Sequence, residues 1–123
     1  MTDIFLIGGT PETREVLGAL LRLHHHRVKG EGRGLKDAKK ILQGGTRGIL
    51  LVDTDLVDGT WEEVLKEADP ARPRPGLVLI SPFYGAEFEA KAKRLGANCV
   101  LLRPFEIPEL MEALRAASPD GPA

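Results

Sequence analysis

The sequence predicts an alternating α/β fold in which helices cover both faces of one parallel sheet. Five short strand-like segments recur along the 123 residues, and most are apolar without alternation, as in strands buried on both faces. A segment with apolar residues at helical spacing follows each of them. The connections are short, which favours right-handed crossovers within a single domain.

Composition agrees with one globular domain. Hydrophobic residues make up 42% and charged residues 28%, and the net charge of -1 gives no field that would attract nucleic acid. No apolar run is long enough for a membrane span, and no signal peptide is evident. The single Cys99 fits a reducing cytoplasm. The only side-chain amides are Gln43 and Asn98, which resembles a thermophile's avoidance of labile residues, although a GC-rich genome gives a similar bias.

The first strand–helix unit begins with a buried strand at Ile4–Ile7 that ends at Gly8–Gly9. Thr10 is expected to cap the following helix, with Pro11 in the first position, where a missing N–H costs nothing. The helix should end at His24–His26. The apolar residues expected to face the core are Val16, Leu17, Leu20, Leu21 and Leu23.

The second and third units follow the same pattern. A polar strand at Arg27–Glu31 is expected at a sheet edge, and Gly44–Gly45 should end the second helix. The buried third strand ends at Asp53, and the third helix is predicted over Thr60–Ala68. The inward residues of these two helices are expected to be Leu35, Ala38, Ile41 and Leu42, then Trp61, Val64 and Leu65.

The last two units begin after a stiff loop rich in proline and arginine, at Pro70, Arg72, Pro73, Arg74 and Pro75. A fourth strand at Leu77–Ile80 leads into a helix at Tyr84–Leu95. A fifth strand at Cys99–Leu102 leads into a helix at Ile107–Ala116. We expect one domain over residues 1–117 and a frayed tail over 118–123.

Polar side chains stand at the ends of the predicted strands. In a doubly wound sheet of order 2-1-3-4-5, the carboxyl ends of strands one and three flank the crevice where such sheets bind ligands. Gly8, Gly9, Asp53, Ser81 and Arg103 should therefore converge there.

The chain resembles the receiver domain of two-component response regulators over nearly its full length, which implies a flavodoxin-like (βα)5 fold. Asp53 stands at that family's phospho-accepting aspartate and Ser81 at its switch Ser/Thr. The run Arg103-Pro104-Phe105 stands at its Lys-Pro-Phe, which implies a cis bond before Pro104. The stretch Gly8 to Leu17 looks like its Asp-Asp-Glu-Pro-x-x-Arg entry to the first helix, with both aspartates replaced.

Several departures from the family bear on function. Phosphoryl transfer to a carboxylate needs a divalent cation, usually Mg²⁺ held by carboxylates, and Gly8 and Gly9 cannot supply them. Arg103 is planar and bulkier than the family's lysine. Val100 replaces a usual aromatic, and the loop after Asp53 is about two residues shorter than the pattern. The chain thus resembles a degenerate, or pseudo-, receiver without catalysis and without a cofactor.

Each site residue has a second interpretation. Asp53 is either a phospho-acceptor or a carboxylate ion-paired with Arg103, a geometry that a guanidinium favours. Arg103 is alternatively a fixed charge that mimics an occupied state. Asp55 is a replacement ligand or caps the turn with Asp58–Gly59. Ser81 is a switch residue or only a strand-end hydroxyl. The three consecutive histidines point about 100° apart on a helix and so cannot share one metal ion.

Three functions compete. The leading hypothesis is a cytoplasmic signalling module that binds a protein partner, either a histidine kinase or a downstream effector, with Phe83 and Tyr84 as candidate contacts, Phe88 in the core, and a homodimer as an option. No DNA-binding or enzymatic segment follows Ala117 in this sequence, so the output is expected either in the partner or in a segment that this sequence does not include. No direct binding to nucleic acid or membrane is expected.

The second hypothesis is a working receiver phosphorylated at Asp53 with Mg²⁺. The third is a nucleotide or NADP binder, in which a phosphate docks on Gly8-Gly9-Thr10 before the first helix. This run is also similar to the start of precorrin reductases, which bind NADP, but it lacks the full G-x-G-x-x-G motif, and only Glu31 could serve as the acidic residue that holds the ribose.

Overall fold

The computed structural model describes residues 2–45, 47–68, 74–83 and 85–118. It contains a five-stranded parallel sheet of order β2-β1-β3-β4-β5 with helices on both faces. This is the flavodoxin-like (βα)5 fold and strand order that the sequence predicted.

The described elements alternate along the chain. The strands are β1 (Asp3–Ile7), β2 (Arg27–Gly32), β3 (Ile49–Asp53), β4 (Gly76–Ser81) and β5 (Cys99–Leu102). The helices are α1 (Pro11–Leu23), α2 (Leu35–Gln43), α3 (Trp61–Lys66), α4 (Ala86–Arg94) and α5 (Ile107–Ala117). Helix α3 is two residues shorter at its end than predicted, and α4 begins at Ala86. None of these helices is long and apolar enough to cross a membrane.

Three predicted features fall partly or wholly outside the described residues. Tyr84 lies outside them, as does most of the loop rich in proline and arginine. The predicted tail is described only at Ser118, which follows α5.

The strand register aligns the residues at the carboxyl end of the sheet. Ile7 pairs with Val52, Asp53 with Ile80, and Ser81 with Leu102. Strands β3 and β4 are buried along their whole length, as their unbroken apolar runs indicated. Strand β2 pairs only with β1 and forms the polar edge that the sequence predicted.

The core has one layer on each face of the sheet. Ile4, Leu6 and Leu51 pack with residues of α1 and α5 on one face. Phe5 and Ile7 belong to the layer on the other face, which packs with α2, α3 and α4. Burial of this apolar surface on both faces is the main force that holds the helices to the sheet.

The prediction of which α1 residues face the core is wrong in part. Leu17 and Leu21 are buried, but Val16 and Leu23 are exposed and Leu20 is half-buried. The residues buried against the sheet are Arg14, Leu17, Gly18 and Leu21, at spacings of three and four. The buried face of α1 therefore lies closer to Arg14 than predicted. A count of apolar side chains misses this because Arg14 is charged.

Helix α2 is capped by a distant loop. Its N-cap residue, Gly34, has no side chain, and the Asp58 carboxylate accepts hydrogen bonds from the N–H groups of Leu35 and Lys36 at 2.7 and 3.3 Å. A Cβ on Gly34 would lie 1.8 Å from Asp58 Oδ1, so only glycine leaves room for this cap. The turn-capping role predicted for Asp55 is not seen: its carboxylate has no hydrogen bond or ion pair with any described residue.

Candidate functional site

Asp53 is the last residue of β3 and is buried at the carboxyl end of the sheet. Its Oδ1 accepts the backbone N–H of Asp55 at 2.8 Å. Its Oδ2 accepts a hydrogen bond from Nη2 of Arg103, with which it forms an ion pair. Each carboxylate oxygen therefore already has a donor within the chain.

Arg103 reaches Asp53 from the loop after β5. Its backbone N–H donates to the Ser81 carbonyl at 2.8 Å, and its peptide bond to Pro104 is cis, as the resemblance implied. The guanidinium side chain is 38% exposed and the Asp53 side chain only 6%. The pair therefore has one partner in the core and one at the surface.

The Gly8–Gly9 turn closes the other side of Asp53. Both glycines have positive φ, +85° and +72°, a region that side chains disfavour. A Cβ on Gly8 would lie 2.8 Å from the Asp55 carbonyl oxygen and 2.8 Å from Leu56 Cδ2. A Cβ on Gly9 would lie 3.1 Å from Asp53 Oδ2. The turn thus packs directly against the β3 end and leaves no space for a side chain on Gly8.

The N–H groups of this turn are already bonded. Gly8 N–H donates to the Gly32 carbonyl at 2.9 Å, and Gly9 N–H donates to the Asp55 carbonyl at 2.8 Å. The hydroxyl of Thr10 accepts the N–H of Thr13 at 3.1 Å, which caps α1 as predicted. These donors are not available for a phosphate, so the geometry gives the nucleotide-binding interpretation no support.

Arg14 is the site residue that sequence reasoning missed. It is buried, and its Nη1 donates to the carbonyls of Gly8 at 3.0 Å and Gly9 at 2.7 Å. Its Nε lies 3.4 Å from Glu31 Oε1. The one sequence signal was its match to the arginine in the family's first-helix entry. Arg14 holds the glycine turn in place by satisfying carbonyls that would otherwise be buried without partners.

Ser81 lies at the end of β4 but does not join the ion pair through its side chain. Its hydroxyl accepts the N–H of Phe83 at 2.9 Å and lies 3.3 Å from the Phe83 carbonyl. Only its backbone carbonyl contacts the site, through Arg103. Of the residues predicted to converge, the structure brings Asp53, Arg103 and Gly8–Gly9 into contact and uses the Ser81 side chain for its own turn.

The predicted partner residue Phe83 is exposed and forms the end of an aromatic cluster. Its ring centroid lies 6.2 Å from that of Phe88, which lies 5.3 Å from that of Trp61. Lys91 Nζ lies 5.7 Å from the Trp61 centroid and pairs with Glu62. Phe88 packs against the core, as expected.

Metal-ligating side chains do not cluster in the described ranges. No three His, Cys, Asp or Glu residues there lie close enough to hold one ion. His24 ends α1 as its C-cap, and His25 has a positive φ of 67°. Burial, with the charges of His24 and His25, lowers the pKa of His26.

Solved structures with the same fold are response regulator receiver domains. A DNA-binding response regulator of the LuxR family from Staphylococcus aureus has a TM-score of 0.82 and 19% identity, with 95% of this chain and 98% of that chain covered. A CheX-CheY complex with BeF3 and Mg from Borrelia burgdorferi gives 0.83 and 9%, with coverage of 94% and 87%.

A third neighbour is a Saccharomyces cerevisiae receiver domain crystallised with its histidine phosphotransfer protein. It has a TM-score of 0.80 and 16% identity, with coverage of 94% and 88%. No protein-family model and no curated protein sequence matches the chain. The structural likeness shows that the chain has the CheY-like receiver fold as a single domain.

Proposed function

We propose that this chain is a signalling module that binds a partner protein in one fixed state and is not phosphorylated at Asp53 by Mg²⁺-dependent chemistry. The observation that supports this most is the Asp53–Arg103 ion pair. A carboxylate that accepts a hydrogen bond on each oxygen, one of them from a cation, is a weaker nucleophile, because these donors stabilise its negative charge. Such a module is not an enzyme.

The donors around Asp53 do not fit Mg²⁺. This ion needs oxygen ligands in near-octahedral geometry and is usually held by carboxylates. Gly8 and Gly9 bring only backbone carbonyls, and both already accept from the Arg14 guanidinium. A divalent cation beside Asp53 would also meet the positive charge of the Arg103 guanidinium, which already bonds to that carboxylate. The proposal therefore includes no metal cofactor.

A protein partner is supported by what the structural neighbours bind. One neighbour is a receiver domain in complex with a histidine phosphotransfer protein, and another is CheY in complex with CheX. We propose a signalling partner for this chain as well, either a histidine kinase or a downstream effector, in the cytoplasm. The exposed ring of Phe83 is the candidate contact.

The experiment is a titration of the ¹⁵N-labelled protein with beryllofluoride, with and without Mg²⁺. We expect no saturable Mg²⁺-dependent shift of the Asp53 and Ser81 amides. The Asp53→Asn variant is the control for binding elsewhere. Saturable, Mg²⁺-dependent shifts that are absent in the variant would contradict the proposal and favour the working receiver, whose support is the position of Asp53 at the end of β3.

A further inference from the structure

A groove of about 450 Å³ opens between α1 and the segment after β5, next to the Asp53–Arg103 pair. Most of its lining is apolar, from the sheet, from α1 and from the segment after β5: Leu6, Leu51, Leu17, Leu20, Pro104 and Phe105. Its volume lies within the range of about 300–1,000 Å³ that small-molecule sites occupy. The floor of the groove is formed by buried residues of the sheet, and its mouth is open to solvent at Val16.

One apolar residue of α1 lines the groove and is exposed to solvent. Val16 lines it and is 62% exposed, because the buried face of α1 is turned toward Arg14. An exposed apolar side chain alone is ordinary. Here the same groove is also lined by Leu20, Pro104 and Phe105, which are half-buried or exposed, so its mouth offers an accessible apolar surface above the buried Leu6 and Leu51.

At the polar end of the groove, the Arg103 guanidinium has N–H donors that no described residue accepts. Arg14 and Arg103 both line it. The Arg14 donors contact two carbonyls and Glu31. The Arg103 side chain has a single partner among the described residues, Asp53 Oδ2, whereas a guanidinium has five N–H donors. Arg103 is also the more exposed of the two, so it can accept an anionic group from solvent.

We propose that this groove binds a small amphipathic monocarboxylate, with its apolar body along α1 and its carboxylate on Arg103. The planar fork of arginine matches a carboxylate, which makes charge-assisted hydrogen bonds of the strong kind. Glu12 also lines the groove, is exposed and has no ion pair with a described residue. It would repel a second negative charge, and this favours a monoanion over a dicarboxylate or a phosphate.

This inference goes beyond the proposed function and does not depend on it. A ligand on Arg103 shares the guanidinium with Asp53, so its binding is coupled to the ion pair.

The test uses calorimetric titration of the full chain with decanoate, below the concentration at which decanoate aggregates, and with decanol as the neutral probe. We expect saturable one-to-one binding of decanoate that is at least about tenfold tighter than that of decanol, which is the effect of one charge-assisted contact. Equal affinity of the two probes, or no saturable decanoate binding, would overturn the proposal. If the groove accepts only a protein segment, decanoate binding would not be saturable.

Matched variants locate the site. Val16→Trp should block the groove and weaken decanoate binding at least about tenfold, since the larger ring fills part of the volume. Val57→Trp is the control, because Val57 is 67% exposed and does not line the groove. Equal affinities in these two variants would contradict the assignment. Arg103→Gln should reduce decanoate to the affinity of decanol and leave decanol unchanged.

Discussion

Two aspartate–arginine pairs lie at opposite ends of the sheet and differ in burial. Asp3, the first residue of β1, pairs with Arg27 of the neighbouring strand at 2.7 Å, and Lys29 lies 3.6 Å away. Asp53, the last residue of β3, pairs with Arg103. The side chains of the first pair are 20% and 59% exposed, against 6% and 38% for the second.

The same pair of charged groups has different consequences at the two ends of the sheet. Water can replace Arg27 beside Asp3, so that pair is dispensable. Water has little access to Asp53, and loss of Arg103 would leave a buried charge without its partner. The buried pair is thus both a stabilising contact and the observation on which the proposed closed state of Asp53 rests.

A substitution at Gly8 tests the close packing at the carboxyl end of the sheet. Gly8→Ala should lower the free energy of unfolding by about 3 kcal/mol, because a positive φ and a steric clash both oppose a Cβ. Gly45→Ala is the matched control, since Gly45 has φ +65° but nothing within 4 Å, and should cost only about 1 kcal/mol. Urea unfolding measures both. Equal losses would show that the glycine turn is not packed against the β3 end.

The ion pairs themselves can be compared directly. Arg103→Gln should lower stability by about 2 kcal/mol, below the usual cost of breaking a fully buried pair because Arg103 is partly exposed. The double variant with Asp53→Asn should recover part of this loss, since the unpaired charge is then gone. Arg27→Gln should leave the urea midpoint almost unchanged. A larger loss for Arg27→Gln than for Arg103→Gln would reverse the comparison.

The loop after Asp53 offers a smaller contact at the same end of the sheet. Asp58→Ala removes the cap of α2 and should cost about 1 kcal/mol. Asp55→Ala, in the same loop, is the control because the Asp55 carboxylate contacts no described residue. This variant should have the same urea midpoint as the wild-type protein. If the two variants have the same midpoint, the cap contributes nothing.

The smallest effect is the pH dependence of the exposed pair. The hydrogen bond from Arg27 holds the pKa of the Asp3 carboxyl below its ordinary value of 3.8. Because the folded pKa is lowered, the small stabilisation is present above pH 3.8 and is lost as the pH falls through the folded pKa. In Arg27→Gln, an NMR titration should show the Asp3 pKa moving up toward 3.8. No movement would mean that the pair does not persist in solution.

The fold and the positions of Asp53 and Arg103 could be predicted from the sequence because they depend on local patterns. Apolar runs gave β3 and β4, and the position of Asp53 and Arg103 after successive strands placed them at one edge of a parallel sheet. The features that were missed depend on contacts distant in the chain. The cap on Leu35 comes from Asp58, 23 residues later. The burial of Arg14 depends on the carbonyls of a glycine turn, and with Arg14 on the buried face of α1 the Val16 side chain is exposed.

The most direct test of the closed Asp53 site is phosphorylation itself. The chain is incubated with acetyl phosphate and Mg²⁺, and its intact mass is measured beside that of Asp53→Asn. Because Arg103 and the Asp55 N–H occupy the carboxylate, we predict no gain in mass in either protein. A gain of one phosphoryl group in the wild-type chain alone would show that Asp53 is a working phospho-acceptor and would contradict the account.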